Sequence, residues 1–267
     1  MSWDASTKAL RCPFCGSTEL DEKQDARALT PRRVVPFVID QKQAQATLRS
    51  WLSQGFWRPG DLASRAAIAE MRAVYVPYWV FEATTHTFWT ADSSATPPGA
   101  RGNWVPMAGE HRGRYAGLLI GASSVLTPSE TSALCPYDLS RGRAPEEVDL
   151  DHAIVEQFRV QRKYARPLAR QGLEDLERRA CAAYVPGRCR NLKVNVRLEN
   201  LSSEPVLVPV WIMAYRYREQ VYRFLVNGQT GKAWGQAPFS WLKVTVAVLI
   251  LLAFLAMLAL MAALAGR

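Results

Sequence analysis

"RAVYVPYWVFEATTHTFWTADSS", Arg72 to Ser94, decides the fold class. Aromatic and β-branched residues crowd it, the composition of a strand that buries at least one face. Pro77 interrupts the run, and because proline has no N–H for a ladder, this residue predicts an edge position or a bulge. After the loop "SATPPGARG" the segment Asn103–Ser124, "NWVPMAGEHRGRYAGLLIGASS", keeps strand character, so an antiparallel meander is expected. Toward the N-terminus, Ala44, Thr47, Leu48, Trp51 and Leu52 fall at helical spacing in "DQKQAQATLRSWLSQGF". "RPGDLASRAAIAEM" predicts a second short helix, entered through Pro59 and Asp61.

Beyond the meander the period changes to that of a helix. In "DLDHAIVEQFRVQRKYA", Leu150, Ile154, Phe158 and Gln161 share one stripe; in "PLARQGLEDLERRACAAYV", Leu173, Leu176, Ala180 and Ala183 share another. Pro167 divides the two and is placed to start the second helix. "KVNVRLEN", "PVLVPVWIMAYRYR", "QVYRFLVN" and "KAWG" then predict strands, with "NGQTG" at Asn227–Gly231 as a hairpin signal. The expected fold is α+β: an antiparallel, β-rich domain with inserted helices.

The C-terminal segment obeys a different solvent. From Val244 to Ala265, "VTVAVLILLAFLAMLALMAALA" has no charge, and Thr245 is its one polar side chain. A helix of that length, at about 1.5 Å per residue, crosses a hydrocarbon core of about 30 Å. Trp241 and Lys243 stand at its start, where an amphipathic ring and a snorkelling ammonium belong at headgroup level. The start "MSWDASTKALR" is polar, and nearly all the Lys and Arg precede the span. The expectation is therefore a single-pass, tail-anchored protein of the cytoplasmic membrane, its large domain in the cytosol. This divides the chain into residues 1–33, a zinc-knuckle-like segment, residues 34–240, the α+β cytosolic domain, and residues 241–267, the anchor.

The formal net charge of +9 suits an anionic partner, nucleic acid or the inner face of a membrane. "QAPFSW" joins the last strand directly to the span, which holds the sheet near the bilayer and makes Arg216, Arg218, Arg223 and Lys232 candidates to meet headgroups. Arg159, Arg162, Lys163, Arg166 and Arg170 fall roughly on one helical face, with Phe158 and Tyr164 nearby, and are candidates for phosphate groups of lipid or nucleic acid. The plainer reading is a solvated face balanced by Glu156, Glu174 and Asp175.

Five cysteines are an odd number, and a reducing compartment leaves them as thiols or metal ligands. Cys12 and Cys15 in "LRCPFCGSTEL" have the shape of one zinc-ribbon knuckle, two ligands where a tetrahedral site needs four. Three readings stand: zinc completed from elsewhere in the fold or from a second chain, a redox pair, or a remnant. The poor helix start "GSTEL" weighs against the redox pair. Cys135, Cys181 and Cys189, like His86, His111 and His152, show no metal spacing, and Glu110 beside His111 on a strand must face the other way. "GQTGKA" is too short for a phosphate-binding loop and lacks its final hydroxyl, so no ATPase or helicase set is present and no catalytic residue is assigned.

Three stretches, "YVPYWVFEATT", "NWVPMAGEHRGRY" and above all "VPVWIMAYRYREQVYRFLVNGQTGKAWGQAPFSWLKV", carry a resemblance. The chain resembles the bacterial membrane-anchored zinc-ribbon proteins, often labelled similar to primosomal protein N′ or as TFIIB-type zinc-ribbon proteins. That family has two C-x-x-C knuckles before its β-rich domain; Cys12 and Cys15 match the second, and the first is absent here. The resemblance implies zinc as the cofactor and flotillin-like or membrane-stress scaffold proteins as partners. Taken together, the expectation is a non-enzymatic adaptor or scaffold that recruits protein partners to the inner membrane. The alternatives are a membrane-tethered, zinc-ribbon nucleic-acid-binding protein and, more weakly, a C-x-x-C thiol oxidoreductase.

Overall fold

The computed structural model describes residues 3–4, 9–10, 29–99 and 102–265, so Cys12 and Cys15 lie outside the described residues. β1 (Trp3–Asp4) and β2 (Ala9–Leu10) form a small antiparallel pair. The chain continues through β3 (Arg33–Val34), α1 (Gln41–Leu52), α2 (Leu62–Arg65), β4 (Ala67–Ser93), β5 (Val105–Gly121) and α3 (Pro128–Leu134). There follow β6 (Ile154–Val155), α4 (Arg162–Ala182), β7 (Cys189–Tyr217), β8 (Gln220–Asn227), β9 (Ala233–Gly235) and α5 (Trp241–Ala265). The architecture is α+β. Its antiparallel sheet runs β5-β4-β7-β8-β9, with β3 added parallel to β7 and β6 parallel to β4, and α5 is one apolar C-terminal helix.

The ribbon of β4 and β7 organises everything else, paired from Ala67↔Arg216 to Ser93↔Cys189. Strands this long have to bend, and register slips at Ile68/Glu70, Glu82/Thr84 and Thr90/Asp92 supply the twist. The gap between "KVNVRLEN" and "PVLVPVWIMAYRYR" is therefore a bulge inside one strand rather than a turn. There Asn200 adopts a left-handed conformation (φ 51°), which asparagine tolerates better than most residues.

The middle bulge separates two environments. Val74 to Phe81 are buried without a break. Val74, Val76, Tyr78 and Val80 pack on one face with Leu126, Leu134, Val206 and Val208, while Trp79 and Phe81 meet Ala165 and Ala169 of α4 on the other. A strand covered on both faces needs a continuous apolar run, and this one has it. From Glu82 onward exposure alternates, because α4 covers one face and water the other. α1, started by a capping box of Asp40 and Gln43, lays Ala44, Leu48 and Leu52 on Met213, Tyr215 and Phe224 at the opposite end of the sheet.

Pro77 is neither on an edge strand nor at a bulge. It sits between β5, whose pairing with β4 ends at Tyr78↔Gly121, and β6, which pairs at Val74 and Tyr75. Its carbonyl accepts from the Ala122 N–H, and a strand residue points N and C=O the same way. The missing donor thus falls where the strand changes partner and no ladder bond is lost.

Two helix expectations are corrected. Leu150 to Gln161 is not helical: Ile154 and Val155 fill the stretch of β4 that β5 leaves open, and Glu156 turns inward to accept from the Ser123 hydroxyl at 2.8 Å and the Ser124 N–H at 2.9 Å. Pro167 does not begin a helix but lies within α4, between the buried Ala165 and Ala169, whose packing on the sheet carries the helix past the missing N–H. The second expected helix, "RPGDLASRAAIAEM", is the single turn α2, after which β4 starts at Ala67.

Candidate functional site

α4 buries Ala165, Ala169, Leu173, Glu177 and Cys181, a stripe at four-residue steps. Steps of four drift by about 40° each round a 3.6-residue helix, so the stripe winds as it crosses β4, β5 and β7. Glu177 occupies a step where an apolar residue would ordinarily stand, and it is fully buried. Thr85, Thr87 and Trp89 project from β4 onto the same side, and the register sets Thr85 opposite Gly113 and Thr87 opposite His111 on β5.

The carboxylate of Glu177 is the centre of this cluster. Thr85 Oγ1 donates to Oε1 and itself accepts from the Gly113 N–H at 3.1 Å. His111 Nδ1 lies 2.8 Å from Oε2. A carboxylate only accepts, so Nδ1 is the donor. Burial pushes the Glu177 carboxyl up, but hydrogen bonds from Thr85 and His111, with the hydroxyls of Thr87 and Tyr115 close by, more than offset this and hold it below its ordinary value. Burial and the adjacent Glu177 push the Cys181 thiol up to about 11, so at neutral pH it is a protonated thiol and not a nucleophile.

Gly113 makes room for all of this. A Cβ there would stand 2.5 Å from Glu177 Oε1 and 2.8 Å from Thr85 Oγ1. Gly109, four residues earlier, gives the same room to the Trp89 ring. One buried polar atom on this face of β4, Trp89 Nε1, has no hydrogen-bond partner among the described residues. His111, Glu177 and Cys181 offer nitrogen, oxygen and sulfur donors all within 4.8 Å of one another, a set of the kind that holds a divalent ion. Binding would displace the proton of the Cys181 thiol, and would therefore strengthen as pH rises.

Sequence reasoning missed this cluster: His111 and Cys181 had no metal spacing, and the second helix stripe was expected at Leu173, Leu176, Ala180 and Ala183. The four-step series Ala165, Ala169, Leu173, Cys181 with Glu177 in its gap was the available signal. Glu110 does face away from His111, and pairs with His86 Nε2 at 2.8 Å on the solvent side.

The other candidates lie elsewhere. Arg162, Lys163, Arg166 and Arg170 are exposed on one face of α4, whereas Arg159 precedes the helix and lines, with Arg162, Phe158 and Trp79, an open cleft of about 620 Å³. Arg170 pairs with Glu174 and Arg178 with Asp175, while Glu156 is buried and balances no part of that face. Phe158 packs on Trp79, so only Tyr164 flanks the basic residues from outside. Arg223 meets Glu130 at 3.3 Å, and the Lys232 ammonium bonds the Cys135 carbonyl, so two of the expected headgroup contacts are engaged within the domain. Trp241 is exposed at the start of α5, and Lys243 bonds the carbonyls of Phe56 and Arg58. α5 is long and apolar enough to cross a membrane, and no part of Trp241–Leu258 is buried against the domain.

No family model matches the chain, and no solved structure matches it significantly. It is similar to the uncharacterized protein YdjG of Bacillus subtilis (strain 168), 25% identical over 227 residues. That match covers 81% of this chain and 66% of the other, just under two thirds of the relative's length.

Proposed function

We propose that this chain is an adaptor held at the cytoplasmic membrane by α5, with its β-rich domain in the cytosol as a non-enzymatic platform for partner proteins. The observation that carries the reading is α5 itself, of which no part from Trp241 to Leu258 is buried and which is separated from β9 by five residues. An apolar helix uncovered on all faces needs hydrocarbon around it. The excess of Lys and Arg ahead of the helix supports the cytosolic orientation. The test has two stages. Membranes carrying the chain are washed with carbonate, where it should stay in the pellet; release would overturn the anchor. Crosslinked, detergent-solubilised membranes are then compared for the intact chain and one truncated before Trp241. Partners recovered with the intact form alone support the adaptor, and identical recovery would sink it.

A second reading rests on the donor set of His111, Glu177 and Cys181. The ion is zinc, which accepts imidazole, carboxylate and thiolate together, and its role is to tie α4 to β5. Metal content of the purified chain separates this centre from the knuckle. Zinc retained in a Cys12→Ser, Cys15→Ser double variant and lost in His111→Ala or Cys181→Ala assigns it to the buried cluster; the reverse assigns it to the knuckle.

A further inference from the structure

The point where α5 leaves the domain is built from two separate parts of the chain. Ser240 donates its N–H to the Trp57 carbonyl at 2.8 Å, and the Lys243 ammonium reaches the carbonyls of Phe56 at 3.1 Å and Arg58 at 2.8 Å. The loop between α1 and α2 is thus fastened to the first turn of the apolar helix and has to share its depth. Trp57 stacks on Phe239 at 6.1 Å and 9°, and Phe56 meets Trp57 edge-on at 5.0 Å. Arg58 folds back over the Trp51 ring, with its guanidinium carbon 3.6 Å from the ring centroid.

These rings are not covered by the domain. Phe56 is 74% exposed, Trp57 42%, Phe239 57% and Trp241 77%. An aqueous surface rarely gathers so much apolar area in one place, whereas the headgroup layer of a bilayer favours amphipathic rings such as tryptophan. Lys243 carries the same message in its polar contacts. A cation at the edge of hydrocarbon is costly unless its donors are used, and here two backbone carbonyls accept from it.

We propose that the loop Gly55–Arg58 is a second membrane contact, its Phe56 and Trp57 seated in the headgroup layer beside Phe239 and Trp241. The bilayer is the occupant because the patch is continuous with a helix that itself requires lipid; this inference rests on the anchor reading above. The consequence is orientation. A domain tied by one flexible stalk could tumble over the surface, but one fastened through both α5 and the α1–α2 loop presents a fixed face to the cytosol.

The experiment places the photo-crosslinking residue benzoylphenylalanine at position 56 of the full chain in native membranes, with position 88 as the control. Phe88 is also exposed but lies 21 residues beyond Ala67 along β4. Irradiation should give lipid adducts at position 56, at least several-fold above those at position 88. A second measurement uses the full chain in vesicles containing lipids brominated near the headgroup or deep in the acyl chains. The emission lost in a Trp57→Phe variant should be quenched more by the shallow bromines than by the deep ones. Protein adducts alone at position 56, or a Trp57 emission that no brominated lipid quenches, would overturn the proposal and assign the patch to a second copy or a protein partner. Carbonate extraction of the same preparations keeps the two readings apart. A chain that stays in the pellet without lipid adducts loses the loop contact and keeps the anchor, whereas an extracted chain loses both.

Discussion

Replacing Glu177 tests whether the buried carboxylate organises the far half of the sheet. In Glu177→Ala, the His111 Nδ1–H loses its acceptor and the Thr85 hydroxyl keeps only the Gly113 carbonyl at 3.2 Å, beside a fully buried position. Each stranded donor costs about 1–3 kcal/mol, and removing one partner of a buried charged contact costs about 3–5 kcal/mol in all. For a domain of this size that is roughly a 6–20 °C fall in Tm, at about 2–4 °C per kcal/mol. Glu177→Gln keeps the shape and one acceptor oxygen but turns an amide N–H₂ toward one of the two donors, so its loss should be smaller, about 1–3 kcal/mol. The assay is thermal unfolding of the detergent-solubilised full chain at pH 7 with a chelator present, followed by circular dichroism. Thr85→Val completes a double-mutant cycle with Glu177→Ala, and a coupling of about 1–2 kcal/mol is expected for residues in direct contact. Added zinc at about 100 times its Kd should then stabilise the wild type by about 2.7 kcal/mol and leave Glu177→Gln unmoved. If Glu177→Ala unfolds within 1 °C of the wild type and shows no coupling to Thr85, the hydrogen-bond reasoning is refuted whatever the metal does.

Glu156 should respond with the opposite sign. Burial raises its pKa above the ordinary 4.5, so its protonated form favours folding below about that pH, and this contribution is lost as pH rises through the folded value. Glu156→Gln, which mimics the protonated acid, should therefore gain stability relative to wild type between pH 4 and pH 7 in urea titrations, and a constant difference would contradict the assignment. Gly113→Ala places a methyl 2.5 Å from Glu177 Oε1 and should cost about 1–3 kcal/mol, whereas Gly60→Ala, with nothing within 4 Å, should be near neutral. Lys243→Met keeps the length and apolar stem of the side chain but removes its bonds to Phe56 and Arg58. Limited proteolysis should then cut the α1–α2 loop at least about fivefold faster, as expected if about 1 kcal/mol of loop fastening is lost; an unchanged rate would show that the loop is held by other contacts.

Patterns that repeat locally could be read before folding. The aromatic and β-branched density of Arg72–Ser94 marked β4, the apolar run after Val244 marked α5, and "NGQTG" marked the turn between β8 and β9. What could not be read depends on which partner a segment meets. Ile154 joins β4 because β5 stops at Gly121, a fact stored far away in sequence. The stripe through Leu150 and Phe158 fits a helix equally well until that open edge is known. The buried cluster was hidden for the same reason, since Glu177 stands 66 residues from His111 and 92 from Thr85. A rule that looks for apolar residues on the inner face of a helix discards a glutamate at that position, yet Gly113 faces it and Gly109 faces the Trp89 ring, each leaving room for a large neighbour.

The long ribbon also separates the buried cluster from α5. The α1–α2 loop that is fastened to α5 leads through α2 straight into Ala67, the first residue of β4. Thr85 is 18 residues further along, at most about 60 Å at 3.3 Å per residue and less with the bulges. His111, Glu177 and Cys181 therefore lie between α4 and the sheet at the end of the ribbon away from α5. An ion that ties α4 to β5 would stiffen the distal half of the platform, whereas the aromatic loop and α5 would fix its base. Partners that recognise the distal face should then respond to substitutions at Glu177 while membrane attachment does not, and the reverse should hold at Trp57 and Lys243.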